Sequence, residues 1–177
     1  HGKTTLTDSL LASNGIISFK QAGKLRYLDS RDDEQQRGIT MESSAISLIF
    51  DDRRVGLGPS DTTTTNRRYC VNLIDSPGHV DFAGHVVTAS RLCDGAVVLV
   101  DAVEGVCTQT MAVLRQAHSE HLQLALVVNK VDRLVTELRM DCQEAALCIF
   151  KLVEQVNAVY GSIDKEQGSN YFDPIHK

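Results

Sequence analysis

The sequence predicts an α/β fold, a mostly parallel sheet with helices on both faces. Three observations carry this. Strand-length apolar runs at 45–50, 69–74, 95–100 and 124–128 alternate with segments of helical periodicity. Two of them, Gly95–Val100 and Leu124–Val128, are continuously apolar, as in strands covered on both faces. The strands ending at Ile74 and Val128 run straight into polar motifs, at the strand ends where α/β sheets bind ligands.

Taken in order, Lys3–Ala12 reads as a helix with Leu6, Leu10 and Leu11 on its apolar face, ended by Asn14-Gly15. Gly23–Thr40 is charged and weakly periodic, a long loop. Ala45–Phe50 alternates around Ile46, Leu48 and Phe50, a strand. Residues 51–68, with Gly56, Gly58, Pro59 and four consecutive threonines, read as a variable surface loop. Tyr69–Ile74 is the next strand, and Asp81–Leu92 is helical. A helix over Thr108–Glu120 separates the two continuously apolar strands. The last helix spans Asp141–Tyr160, with Cys142, Ala145, Ala146, Ile149, Phe150, Val153, Val156 and Tyr160 on one stripe. Asp141 and Glu144 have capping-box spacing at its start. Residues 161–177 are polar and aperiodic, a tail or an insertion.

Composition bounds the function. With 42% hydrophobic and 23% charged residues, the 177-residue chain can bury one domain's core, which excludes a wholly disordered protein. A net charge of −5 gives no general attraction to nucleic acid, so no DNA partner is expected. No apolar run approaches the ~18 residues of a membrane span, so no membrane partner is expected either. The five cysteines are odd in number and lack CxxC spacing, which suggests neither a disulfide framework nor a zinc site and fits a reducing, cytoplasmic setting. The chain opens inside a motif and ends in a polar stretch, so both ends are expected to continue in a longer protein.

Three motifs carry chemistry. Gly2-Lys3-Thr4-Thr5 opens a helix and matches the end of a phosphate-binding loop, G-x-x-x-x-G-K-[ST]. Backbone N–H groups at a helix start face phosphates, the Lys3 ammonium reaches the outer ones, and the Thr4 hydroxyl suits Mg²⁺. Alone, the tetrapeptide is equally an ordinary helix start. Asp75-Ser-Pro-Gly78 follows a strand. Its carboxylate can hold Mg²⁺ through water, and the Gly78 amide can approach a γ-phosphate; alone, it is a plain Pro-Gly turn. Asn129-Lys130-Val131-Asp132 follows a strand too. A carboxylate at Asp132 accepts both the N1–H and the 2-amino protons of guanine, whereas adenine leaves it unpaired. Asn129 can brace the loop, and the Lys130 stem can cover the ring face. The order and placement of the three point to a guanine nucleotide. A loop threonine before a strand, as Thr40 is, can complete Mg²⁺ coordination when a γ-phosphate is present, but a threonine there is commonplace and its type alone does not show the role.

These segments resemble one family, the translational GTPases. The likeness rests on Gly-Lys-Thr-Thr-Leu-Thr-Asp8, Asp33-Glu-Gln-Gln-Arg-Gly-Ile-Thr40, Asp75-Ser-Pro-Gly-His-Val-Asp-Phe82 and Asn129-Lys-Val-Asp-Arg133, and it covers residues 1 to about 160. Within the family the chain is nearer the branch that matures the large ribosomal subunit than the ribosomal translocase, through Asn14-Gly-Ile-Ile17, Ala22–Ser30, Arg37–Met41 and Asp101-Ala-Val-Glu-Gly-Val106. The resemblance implies a P-loop NTPase fold whose first strand precedes His1, and GTP or GDP with Mg²⁺ as ligands. Thr4, Thr40 and, through water, Asp75 hold the metal. Gly2, Lys3, Thr4, Thr5, Thr40, Asp75, Gly78, Asn129, Lys130 and Asp132 hold the nucleotide. His79 orients the attacking water. It further implies the large ribosomal subunit as trigger. In the maturation branch, hydrolysis promotes release of an anti-association factor, together with the partner protein altered in Shwachman–Diamond syndrome.

Two further readings stay open: the ribosomal translocase, and a truncated chain with no activity of its own. Ala83-Gly84-His85 departs from the family pattern of small residues followed by an acid. Asp81, His85 and His79 are close in sequence, but too few to expect zinc, and a surface hydrogen bond is the plainer reading. Thr62–Thr65 reads as an ordinary surface loop rather than a modification target. No segment after Asp132 matches the family's base-closing Ser-Ala loop.

Overall fold

The computed structural model describes residues 1–54, 65–78 and 83–167. They form α1 (Lys3–Ser13), α2 (Asp32–Arg37), β1 (Ser44–Arg54), β2 (Thr65–Asp75), α3 (Ala83–Ser90), β3 (Gly95–Asp101), α4 (Thr108–Ser119), β4 (Gln123–Asn129), α5 (Asp132–Thr136) and α6 (Cys142–Gln167). Two units divide the chain: His1–Gly2 with Val87–Lys177, and Lys3–Val86.

In the unit of Lys3–Val86, β1 and β2 form an antiparallel ribbon with Ser44 opposite Asp75 and Arg54 opposite Thr65. Both strands therefore run further than the apolar pattern reached, and the variable loop expected at 51–68 gives up its two ends to the ladder. Charge sustains the pairing beyond the apolar stretch: Arg68 lies opposite Asp51 and its Nε donates to Asp51 Oδ1 at 2.8 Å. Residues 55–64, with most of the threonine run, lie outside the described residues.

The core of this unit is Leu11, Ala12, Ile17, Leu28 and Leu48, with Ile46 and Leu73 packed against it. Helix α1 buries Thr7, Asp8, Leu11 and Ala12, so its inner face is rotated from the leucine stripe and Leu10 is exposed. The rotation has a polar cause. Asp8, fully buried, accepts the amide N–H groups of Gly23 (3.2 Å), Arg26 (2.9 Å) and Tyr27 (3.0 Å), satisfying a loop with no ladder of its own. Phe50, expected on the inner face of its strand, is exposed, and the cluster that takes in Ile46 and Leu48 does not reach it.

The long loop contains α2, which the charged, weakly periodic pattern concealed. Asp32, Asp33 and Glu34 suit the positive end of a helix, and Gly38 ends it in the left-handed region at φ 65°.

In the other unit, β3 and β4 pair in parallel, with Asp101 opposite Asn129. The described strands are thus one parallel and one antiparallel pair, rather than mostly parallel. Val98 and Val100 of β3, Leu114 of α4, and Leu152, Val156 and Ile163 of α6 form the core, with Leu124, Leu126 and Val128 of β4 packed against it. Burying each such side chain contributes about 1.5–3 kcal/mol. The opposite face of β3 buries Leu99 but leaves Val97 half exposed, so the cover expected on both faces is complete on one.

Helix α6 begins as predicted, with Asp141 Oδ1 accepting Glu144 N–H at 2.8 Å and Glu144 accepting Asp141 N–H at 3.0 Å. The buried stripe runs through Leu152, Val156 and Ile163, while Cys142, Ala146 and Phe150 are exposed. The helix also continues through Gly161 to Gln167, so the start of the expected tail is helical. Ile163 is 2% exposed, and its burial outweighs the ~1 kcal/mol that Gly161 costs a helix. Residues 168–177 lie outside the described residues. Among the described residues no helix is long and apolar enough to cross a membrane.

Candidate functional site

The predicted residues gather into two groups, one in each unit. The first holds Lys3, Thr4, Thr40, Asp75 and Gly78. Lys3 and Thr4 start α1, Asp75 ends β2, and Thr40 follows the cap of α2. The Thr4 and Thr40 hydroxyls lie 3.0 Å apart. Thr40 also donates to Asp29 Oδ1 at 2.9 Å and accepts from Arg26 Nη2 at 3.3 Å. Arg26 and Asp29 form an ion pair of their own, with the Asp29 side chain fully buried.

Asp75 is 3% exposed, and its Oδ2 has no hydrogen-bond partner. Burial pushes its pKa up, and the Thr4 hydroxyl and Lys3 ammonium only partly offset this. Burial likewise lowers the pKa of Lys3, with Asp75 opposing. A Cβ at Gly78 would run into the Lys3 ammonium, so this turn must be glycine for the lysine to sit where it does.

This donor set fits Mg²⁺. Two hydroxyl oxygens and a buried carboxylate oxygen with spare acceptor capacity are the hard ligands such an ion selects. Thr5 stands apart, exposed, with its methyl toward Gly23. His79, the candidate for orienting water, lies outside the described residues, as does Asp81. Among the described residues no group of three or more His, Cys, Asp or Glu is placed to hold a metal.

The position of Thr40 depends on a residue the motifs did not single out. Glu34, 1% exposed, accepts Met41 N–H at 2.7 Å and Glu42 N–H at 2.9 Å on Oε1, and Arg31 N–H at 3.1 Å on Oε2. Burial opposes its charge, but the amides of Glu42, Met41 and Arg31 prevail and its pKa is lowered.

The second group holds Gly2, Asn129, Lys130 and Asp132. Asn129 ends β4; its Nδ2 donates to the His1 carbonyl at 2.9 Å, and its Oδ1 accepts Lys130 N–H at 2.9 Å. Gly2 has φ 91°, and a Cβ there would lie 2.6 Å from Asn129 Nδ2. The amide thus ties the His1-Gly2 segment to the turn that follows β4. Asp132 opens α5 and is exposed.

Sequence reasoning missed Asp101, which is fully buried at the end of β3. Burial opposes its charge. The Lys130 ammonium and the Val103 and Glu104 amides more than compensate, holding the carboxyl well below the usual carboxylate range. The available signal was the one used for Asp75, an acid closing an apolar strand.

The chain is 62% identical over 162 residues to Ribosome assembly protein 1 of Saccharomyces cerevisiae, covering 92% of this chain and 14% of that protein. It is 56% identical over 163 residues to human Elongation factor-like GTPase 1, again covering 92% of this chain and 14% of that protein. Elongation factor 2 of Methanosarcina acetivorans is 48% identical over 167 residues, covering 94% of this chain and 21% of that protein. The chain thus spans about a seventh of the first two relatives' length. The crystal structure of a Thermus thermophilus protein superposes with a TM-score of 0.64 at 24% identity, over 90% of this chain and 20% of that one, a likeness of fold. The family model described as "Elongation factor Tu GTP binding domain" matches residues 1–172, and the chain belongs to that family, with its α/β P-loop NTPase fold.

Proposed function

We propose that this chain is the nucleotide-binding part of a GTPase that acts on the large ribosomal subunit during its assembly, binding GTP with Mg²⁺ and hydrolysing it to GDP and phosphate. The observation that carries the chemistry is the buried, unpartnered Asp75 oxygen in one cluster with Thr4, Thr40 and Lys3. An acceptor left unsatisfied in a folded interior costs about 1–3 kcal/mol, a cost a bound cation removes. Thr4 and Thr40 would hold Mg²⁺ directly, and Asp75 through water. When bound, the ion supplies charge neutralisation on the outer phosphates. Lys3 holds the phosphate oxygens, the Gly78 amide approaches the γ-phosphate, and His79, next in sequence, orients the attacking water. Asp132 reads the base, accepting its N1–H and 2-amino protons, while Asn129 and the Lys130 stem support the loop.

The names of the yeast and human relatives support a role in ribosome assembly, and their higher identities favour it over the translocase. In that role hydrolysis promotes release of an anti-association factor from the new subunit, with the protein altered in Shwachman–Diamond syndrome as cooperating partner. The test is phosphate release by the full natural protein with and without purified large subunits. Stimulation by subunits is expected; equal rates would reject the ribosomal reading. A companion measurement addresses the base. Asp132→Asn replaces a double acceptor by a donor and an acceptor, so affinity should move from guanine towards xanthine nucleotides, whose 2-oxo group accepts.

A further inference from the structure

Asp101 carries no motif assignment, yet its carboxylate is filled on every side by one pair of loops. Oδ1 accepts the amide N–H groups of Val103 at 2.9 Å and Glu104 at 3.2 Å. Oδ2 accepts the Lys130 ammonium at 2.9 Å and Arg133 Nη1 at 2.9 Å. Those two cations stand two positions before and one position after Asp132, so a single buried oxygen ties the backbone on both sides of the base-reading residue.

The segment it ties is conformationally demanding. Lys130 has φ 57°, in the left-handed region that a lysine keeps only where its surroundings hold it. That kink ends β4 and lets α5 begin at Asp132. Three contacts hold it: the Asn129 side chain on Lys130 N–H, the Asp101 carboxylate on the ammonium, and the same carboxylate on Arg133 beyond the turn. Arg133 is fixed further by Glu137, whose Oε1 accepts its Nε–H at 2.8 Å. The Lys130 charge is thereby committed to Asp101, which leaves its aliphatic stem, rather than its ammonium, to meet a base ring.

We propose that Asp101 is the positioning residue of the guanine-reading loop: by holding Lys130 and Arg133 on one carboxylate oxygen it fixes Asp132 and so sets selectivity for the 2-amino group. This rests on the reading of Asp132 as the base acceptor. A paired acceptor meets N1–H and the 2-amino group together only when the carboxylate is held in one orientation. Loosening the loop therefore weakens the two-point contact to guanine more than the one-point contact to hypoxanthine, which keeps N1–H and lacks the amine.

The test measures release of a fluorescent GDP, and equilibrium affinities for GTP and ITP, on the full natural protein and its Asp101→Asn variant. Release should be about 10- to 100-fold faster, by analogy with the loss that follows removal of a group orienting a metal ligand. The preference for GTP over ITP should narrow by a similar factor. A purely structural role would reduce the fraction of active protein and leave that preference unchanged. Arg133→Gln is the second variant, milder because Lys130 still neutralises Asp101, and it carries the test if Asp101→Asn does not fold; faster release with a narrowed preference is expected. A wild-type preference retained by every folded variant overturns the proposal while leaving Asp132 as base reader. A wild-type protein that does not prefer GTP over ITP overturns both.

Discussion

Removing the Glu34 carboxylate should release the segment that carries Thr40 without unfolding the protein. In Glu34→Ala three amides lose their acceptor at once: Arg31, Met41 and Glu42. Hydrogen bonds to a charged group are worth about 1.5–3 kcal/mol each, or roughly 4–9 kcal/mol for three. Against this, the variant no longer buries a charge, which is the largest single influence on Glu34. A net local loss of about 3 kcal/mol is expected, a factor of about 100 in the opening equilibrium. Hydrogen exchange read at the Met41 and Glu42 amides is the direct assay, with the β3 amides as internal reference. Glu34→Gln should fall between, since its carbonyl can serve Met41 and Glu42 while its NH₂ faces the Arg31 N–H. The pH dependence has a fixed sign. A carboxyl whose folded pKa is depressed stabilises fully above its unfolded value, near 4.5, and loses that contribution as pH falls towards the folded value. Protection at Met41 should therefore persist from neutrality down to about pH 4.5 and fade below it in wild type, and show no such step in the alanine variant. Equal protection at Met41 and Glu42 in wild type and Glu34→Ala would refute the reasoning.

Other outcomes follow from the same contacts. Gly78→Ala should displace the Lys3 ammonium and weaken GTP binding by about tenfold or more, read by calorimetry, because the group that would have to move is the one proposed to hold the phosphates. Ile163→Ala should cost about 2–5 kcal/mol, and the exposed Phe150→Ala within about 0.5 kcal/mol of nothing, which thermal melts will separate. Gly2→Ala combines a φ of 91° with a collision on Asn129 Nδ2, so it should raise the GDP release rate in the fluorescence assay.

How much was legible in the sequence depends on what each residue acts upon. The parallel strands and the motifs at their ends were readable because side-chain pattern alone defines them. The longer ribbon, α2 and the extension of α6 were not. The ribbon beyond Phe50 is paired through charged residues with no apolar alternation, α2 is a six-residue polar helix, and Gly161 reads as a stop until Ile163 is seen buried behind it. In the candidate site, Thr4, Thr40 and Asp75 could be named because their chemistry is their own. Asp8, Glu34 and Asp101 lie inside the family-like segments but received no role there, because they serve the amides and cations of segments well removed from them in sequence or separated by a turn, and nothing in a linear string marks which loop an acid will serve.

The β1–β2 ribbon is fastened by different physics along its length. Near Leu48 it is pinned by contact with α1 and the loop behind it, whereas further out, by Asp51 and Arg68, it is zipped by an exposed opposite-charge pair. The two fastenings are three residues apart on β1, about 10 Å at roughly 3.4 Å per residue. Added salt screens exposed ions within a few ångströms yet hardly touches buried methyl groups, so raising ionic strength will fray the outer part alone. Two solvents can thus undo one hairpin from opposite directions, with salt loosening the tip and mild urea the root.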